Sequence, residues 1–234
     1  MNDLIVFLGD RSLPYRKIMD EHKDFFVQNM KIPAERVIIA EQTHSDNVHV
    51  CSEDDCGAGF GSHPQIEDCD ALISDQPNQF LLIRTADCYP ILLYDTKTQA
   101  IGAVHSGREG TRKNVTGKTV QAMCDTFQCS PSEIKVWVGA GICKRHYTVS
   151  SSVWEEFYQS CRHYNPALTK EDFPYLDLKG IILQQLYQAA ILPQNVTSIP
   201  ACTYEKDNYF SYRRDKTRNR QINLIGISDG KYHI

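Results

Sequence analysis

Residues 81–110, LLIRTADCYPILLYDTKTQAIGAVHSGREG, read as three apolar strands joined by two short polar breaks. Short apolar runs bounded by turn residues mark neighbouring strands of a sheet. The chemistry stands at the breaks. The first carries Arg84, Asp87 and Cys88, and the strand after the second ends in His105. A Cys and a His at the ends of neighbouring strands face one another either as nucleophile and base or as two ligands of one metal. Upstream, the β-rich run Arg36–Ala40 leads into Gln42-Thr43-His44 and offers a second imidazole.

Working outward, further strands are expected at Leu4–Leu8, Val48–Cys51, Ala71–Ser74, Ile134–Val138 and Val196–Ile199. Tyr209–Tyr212 and Ile222–Ile227 flank a basic loop and read as a hairpin. Helical spacing of apolar residues runs from Pro14 to Met30, with Ile18, Met19, Phe25 and Phe26 towards the core. A second helix spans Thr111 to Phe127, weakened by Gly117. A third, capped by Ser152, reaches Cys161, and a fourth, capped by Asp177, reaches Ala190. The glycine-rich segment Cys51–Asp70 reads as a surface loop with incidental thiols. Strands in runs with helices interspersed give an α+β fold built on a mixed sheet.

The chain of 234 residues has no Gly/Ser/Pro-rich linker, so residues 1–234 are expected to form one domain. A net charge of −4 argues against a general nucleic-acid or membrane-surface binder. No apolar stretch is long enough for a bilayer, and the first residues lack the pattern of a secretion signal. Nine cysteines in such a chain are expected to be reduced thiols of a cytoplasmic protein. No G-x-G-x-x-G or phosphate-loop motif points to a dinucleotide or ATP enzyme.

His44, Cys88 and His105 together supply two imidazoles and one thiolate. Zinc takes these donors well, and a catalytic zinc keeps its fourth position open. We therefore expect the three to converge on one zinc ion in an enzyme's pocket. Asp87 and Gln42 adjoin them and are candidates to orient an imidazole. Two other readings stay open: a buried thiol with two hydrogen-bonded histidines, and Cys88 as a nucleophile activated by His105. Among the basic residues, Arg84 lies on an apolar strand and needs an anion, either a bound one or a core carboxylate such as Asp70. Arg213 and Arg214 follow an aromatic run, where a guanidinium fork suits phosphate or carboxylate.

The segments EQTHSDNV, DALISDQP, LLIRTADCYPILLYD, IGAVHSG, LDLKG, CTY and YFSYRRD occur in the order found in the YfiH family, which this chain resembles from about Arg36 to Ile227. That family carries the labels polyphenol oxidase (laccase-like) and purine nucleoside phosphorylase. The resemblance implies a mixed β-sandwich flanked by helices, in α/β/β/α layers. It implies zinc on His44, Cys88 and His105, with copper accepted in vitro. It also implies phosphorolysis of adenosine, inosine, guanosine or methylthioadenosine, and adenosine deamination. The partners would be a purine nucleoside and phosphate, in a monomer or homodimer. Some members are tied to removal of peptidoglycan precursors carrying L-Ser. The fold is similar to that of a toxin deamidase with a Cys-His pair. These leave an amide hydrolase and a nucleotide-binding regulator as alternatives. Laccase chemistry fits poorly, because eight histidines without a His-x-His pair do not build a multicopper centre. One departure stands out: where the family has HAGWRG, this chain has His105-Ser106-Gly107-Arg108-Glu109-Gly110. Glu109 is expected to repel an anion unless Arg108 or Arg112 compensates.

Overall fold

A run of apolar residues with no polar alternation becomes a strand covered on both faces. The computed structural model describes residues 3–15, 31–60, 63–163 and 168–229, and its central strands are of this kind. Strand β1 is Asp3–Leu8, β2 Val37–Ile39, β3 Val48–Val50, β4 Ala71–Ser74, β5 Phe80–Thr85, β6 Tyr89–Asp95, β7 Ile101–Ser106, β8 Ile134–Val138, β9 Val196–Ser198 and β10 Gln221–Ser228. They form a four-stranded sheet in the order β1-β10-β5-β2 and a six-stranded sheet in the order β3-β4-β7-β6-β8-β9. Both are mixed: β2 runs parallel to β5, β3 to β4 and β8 to β9, while the other pairs are antiparallel.

The three strands of residues 81–110 therefore do not share one sheet. β5 belongs to the smaller, β6 and β7 to the larger, and the break Ala86–Cys88 crosses between them. The period of two sorts the side chains of each strand. Leu81 and Ile83 of β5 meet Leu72, Leu92, Ala103, Ile225 and Ile227 in the core between the sheets. Phe80 and Leu82 face the other way, onto Ile5, Leu13, Ile32 and Phe60. On the outer face of the larger sheet, Ile91, Leu93, Val104 and Val136 pack against Met123, Trp154, Phe157 and Ile181 of the helices. This is the α+β sandwich that the motifs imply.

Several local expectations change. The helix expected from Pro14 falls mainly on residues 16–30, outside those described. The helix expected from Thr111 is two, α1 (Arg108–Arg112) and α2 (Val115–Phe127). Asn114, at φ 63°, breaks them apart and caps α2 by accepting from the Gly117 amide. A Cβ on Gly117 would come within 2.6 Å of the Asn114 side chain, so the glycine serves the cap. Helix α3 (Ser151–Cys161) is capped by Ser150 rather than Ser152, and α4 (Leu178–Gln188) by Asp177 as expected.

The hairpin over the basic loop does not form. Tyr212–Asp215 is a short helix, α5, capped by Ser211, while β10 pairs with β1 and β5. The side chain of Gln221 takes the place of a ladder, accepting from the Phe210 amide at 2.9 Å. Nor is Cys51–Asp70 merely superficial. Cys51, Ala58, Phe60 and Cys69 are buried, and Ala40 bridges Ile66. Burial pushes the Cys51 thiol up, and that of Cys69 to about 12, as befits inert packing groups. Among the described residues, no helix is long and apolar enough to cross a membrane.

Candidate active site

His44, Cys88 and His105 meet at one end of the sandwich. His44 lies beyond β2 of the smaller sheet, Cys88 in the crossing between sheets, and His105 near the end of β7 in the larger. The antiparallel register that sets Pro90 opposite His105 brings Cys88 close to that imidazole. Part of the backbone strain of the described residues stands here. His44, Gln42 and Asp87 have φ of 64°, 62° and 87°, a region that costs non-glycine residues about 1–3 kcal/mol each.

One donor atom from each of the three lies within 4.8 Å of the others. Cys88 Sγ is 4.0 Å from His44 Nε2, and the two imidazole rings stand edge to face at 5.0 Å. Gly107 packs against the cluster. A Cβ there would lie 2.8 Å from His44 Cδ2 and 2.9 Å from Cys88 Sγ.

Asp70, wholly buried on the strand entry to β4, holds His105. Its carboxylate stands 2.6 Å from His105 Nδ1 and also accepts from the amide and hydroxyl of Ser45, at 2.6 and 2.8 Å. Burial penalises the Asp70 carboxylate, but these partners outweigh it and lower its pKa. Burial likewise pushes the Cys88 thiol up. The charge and hydrogen bond of His105, with the smaller effect of His44, overcome this and bring it down to about 6. His105 is disfavoured as a cation by burial, yet Cys88 and Asp70 raise it to about 9. Cys88 and His105 thus favour a thiolate–imidazolium pair.

The other residues singled out from sequence divide. Gln42 does not touch an imidazole. Its amide clasps Arg84, donating to the Arg84 carbonyl at 2.8 Å and accepting from the Arg84 amide and Nε at 2.9 and 3.0 Å. Arg84 lies over the Tyr15 ring, 4.8 Å from its centroid. It spends Nη2 on the carbonyls of Ala40 and Glu41. Among the described residues it has no carboxylate partner; Asp70, its expected mate, is taken by His105.

Asp87 turns from the imidazoles to fasten the opposite wall. Its oxygens accept from the Thr203 hydroxyl and the Arg213 amide, both at 2.7 Å. Arg213 lies 5.0 Å from the Tyr147 ring centroid and donates to the Thr148 carbonyl. Arg214 is turned away from the cavity. Its guanidinium serves the carbonyls of Thr203, Tyr204 and Tyr209 and the carboxylate of Asp215. It is a brace for its own loop.

The cluster opens into a groove of about 1190 Å³. Arg84, Arg108, Arg213, Lys216, Arg218 and Arg220 line it, against the carboxylates of Glu41 and Asp87, while Tyr15, Tyr147 and Tyr212 supply aromatic walls. Arg220 is the residue sequence reasoning passed over. Burial, with the nearby charge of Arg84, lowers its pKa, opposed by Cys88. Its signal was in the chain: it directly precedes the apolar run of β10, as Arg84 lies near the end of that of β5. Glu109 does not line the groove. It pairs with Arg108 at 3.0 Å and Arg112 at 2.9 Å, so its charge is matched locally.

Known proteins share this architecture. The profile of the family described as multi-copper polyphenol oxidoreductase laccase matches residues 9–228. A purine nucleoside phosphorylase of Corynebacterium glutamicum is 31% identical over 94% of this chain and 86% of its own length. One from Clostridium acetobutylicum is 31% identical over 79% of this chain and 74% of its own. YlmD of Geobacillus stearothermophilus superposes with a TM-score of 0.80 at 26% identity, over 88% of this chain and 78% of its own. The Bacillus licheniformis hypothetical protein YfiH, at 23% identity, shares the fold with a TM-score of 0.82 over 95% of this chain and 92% of its own.

Proposed function

This chain belongs to the YfiH family, that of the multi-copper polyphenol oxidoreductase laccase profile, and from that premise we propose that it is a zinc-dependent enzyme that cleaves purine nucleosides by phosphorolysis. The observation that carries the reading is a three-donor cluster opening onto a groove whose wall bears guanidinium groups without carboxylate partners among the described residues. The donors suit zinc: His44 presents Nε2, Cys88 is biased to thiolate, and Asp70 on Nδ1 of His105 leaves Nε2 of that ring free for the cluster. Zinc held there supplies Lewis acidity towards a polar atom of the substrate. Copper is accepted by the same donors.

The chain's own groups do the rest. Arg84, Arg213 and Arg220 hold phosphate by charge-assisted hydrogen bonds. Tyr147 and Tyr212 offer flat apolar faces to a purine. In phosphorolysis a phosphate oxygen bonds to C1′ of the ribose as the glycosidic C–N bond breaks. The electron pair leaves with the purine, which takes up a proton. The arginines keep the phosphate beside that carbon, where positioning contributes much of the rate. Adenosine, inosine, guanosine and methylthioadenosine all satisfy this chemistry. Adenosine deamination, in which water adds at the amino-bearing carbon and ammonia leaves, is the companion activity of the same groove.

The test is incubation of zinc-replete protein with adenosine and phosphate. Free adenine with one ribose-1-phosphate is the expected product pair, lost without phosphate or after chelation. No base release from any of the four nucleosides would overturn the reading. A second reading rests on the file Cys88–His105–Asp70, which is also that of nucleophile, base and orienting carboxylate. It makes the protein an amide hydrolase, with an L-Ser-containing muramyl precursor as substrate. It is favoured if metal-free protein cleaves that precursor and Cys88→Ala abolishes the cleavage.

A further inference from the structure

A second cluster of cysteine and histidine lies apart from the first. Cys143 and His146 sit on the loop after β8, and Cys202 and Glu205 on the loop after β9. None of the four lines the groove. A parallel bridge between Gly141 and Cys202 lays the two loops side by side. One donor atom from each residue falls within 4.8 Å of the others. His146 Nδ1 lies 3.2 Å from Cys143 Sγ, 3.9 Å from Cys202 Sγ and 3.3 Å from Glu205 Oε1. Cys143 Sγ is 3.7 Å from Glu205 Oε1.

We infer that Cys143, His146, Cys202 and Glu205 form a second, structural site for a divalent metal of the zinc class. Two pairs of donors, Cys-x-x-His and Cys-x-x-Glu, match the short ligand spacings of closed tetrahedral zinc sites. Supporting groups are in place. The Cys143 amide donates to Cys202 Sγ at 3.2 Å. His146 is held flat against the Tyr204 ring, 4.6 Å between centroids. Two thiolates and a carboxylate around a dication leave one excess negative charge. The Arg145 guanidinium, 2.7 Å from Glu205, matches it. Binding displaces the two thiol protons to solvent and forms two metal–sulfur bonds, with no change of oxidation state.

The site would clasp the wall of the groove. The Ile142 amide, beside Cys143, donates to the Asp87 carbonyl at 2.8 Å, and Thr203, beside Cys202, donates to the Asp87 carboxylate. Tyr147, beside His146, faces the groove. Tying the two loops together fixes all three.

The experiment uses the full chain, reduced and stripped of metal, with Cys88→Ser removing the thiolate of the first cluster. Cobalt(II) titration is expected to show one equivalent with the near-ultraviolet absorption of thiolate ligation and the strong visible bands of a tetrahedral ion. Serine at both 143 and 202 should abolish the thiolate absorption. His146→Ala, which leaves both thiols in place, should weaken binding by at least ~10-fold, the scale seen even for supporting residues. If the serine variant fails to fold, His146→Ala combined with Glu205→Gln decides. No thiolate absorption in the Cys88→Ser protein, absorption that survives serine at both 143 and 202, or cobalt affinity unchanged by His146→Ala with Glu205→Gln overturns the inference. Zinc content separates the two sites. Two equivalents per chain, falling to one with Cys88→Ser, supports both; one equivalent untouched by Cys88→Ser but lost with Cys143→Ser supports this site and fails the other.

Discussion

His44, Cys88 and His105 come from three strand ends in two sheets, whereas Cys143, His146, Cys202 and Glu205 come from two adjacent loops. The first group is gathered by sheet register and strained backbone, and numbers three donors beside an open groove. The second is gathered by short sequence spacing, and numbers four donors away from it. Asp87 joins them, being bonded in sequence to Cys88 and hydrogen-bonded to Thr203, the neighbour of Cys202. The difference teaches how donor count and scaffold divide labour: an incomplete set on rigid strand ends suits chemistry, and a complete set on loops suits anchorage.

The largest expected break between the two comes from removing one thiol from each. Cys88→Ser should cost several kcal/mol of transition-state stabilisation, about 10³-fold in kcat/KM with adenosine and phosphate. Cys143→Ser should lower the melting temperature and leave kcat within a few-fold. Equal losses of rate would erase the distinction.

Gly107→Ala comes next, since its Cβ would press on both His44 and Cys88. Zinc affinity at the first cluster should fall by about 10–100-fold, as it does when supporting groups are disturbed. Competition with a chromophoric chelator measures it, and the second cluster should be unmoved.

Asp70→Asn sharpens the role of the buried carboxylate. It should cost about 10-fold in the same affinity. In metal-free protein it should also lower the pKa of His105 from about 9, because the raising charge is gone while the opposing burial remains. Histidine proton resonances followed against pH report this. An unchanged His105 titration would show that Cys88 alone holds the proton there.

Thiol reactivity separates the clusters without mutation. In metal-free protein the rate of Cys88 alkylation should climb with pH through about 6, as the thiolate forms. Cys143, raised above its ordinary value, should react only at higher pH. Mass mapping after brief iodoacetamide treatment at neutral pH should find Cys88 first.

The smallest effects belong to the arginines. Arg220→Ala should raise the KM for phosphate about 10-fold, the worth of one charge-assisted hydrogen bond. Arg214→Ala should leave that KM alone and cost about 1 kcal/mol of stability, because part-buried carbonyls lose their donor.

Most strands were legible because their apolar runs are long enough to be covered on both faces, as in β5, β6 and β7. Their distribution over two sheets was not, since Ala86–Cys88 has the length of a hairpin turn yet crosses the sandwich. Tyr209–Tyr212 looked like a strand by aromatic content, but Ser211 caps a helical turn there and Gln221 satisfies the neighbouring backbone. The first cluster was read from residue types and motif resemblance, its donors being too far apart for spacing to speak. The second had the legible spacing and was overlooked, because its two halves lie in different loops and neither pair contains a second Cys. Asp70 was weighed only as a mate for an arginine; that it serves His105 follows from β4 pairing with β7, a matter of register alone.

The crossing at Ala86–Cys88 carries a consequence for how an ion would enter the first cluster. Its three donors belong to opposite halves of the sandwich, so a cation there would be gripped by all of them only once the two sheets have docked. Loading of that corner would then report that the seam has closed.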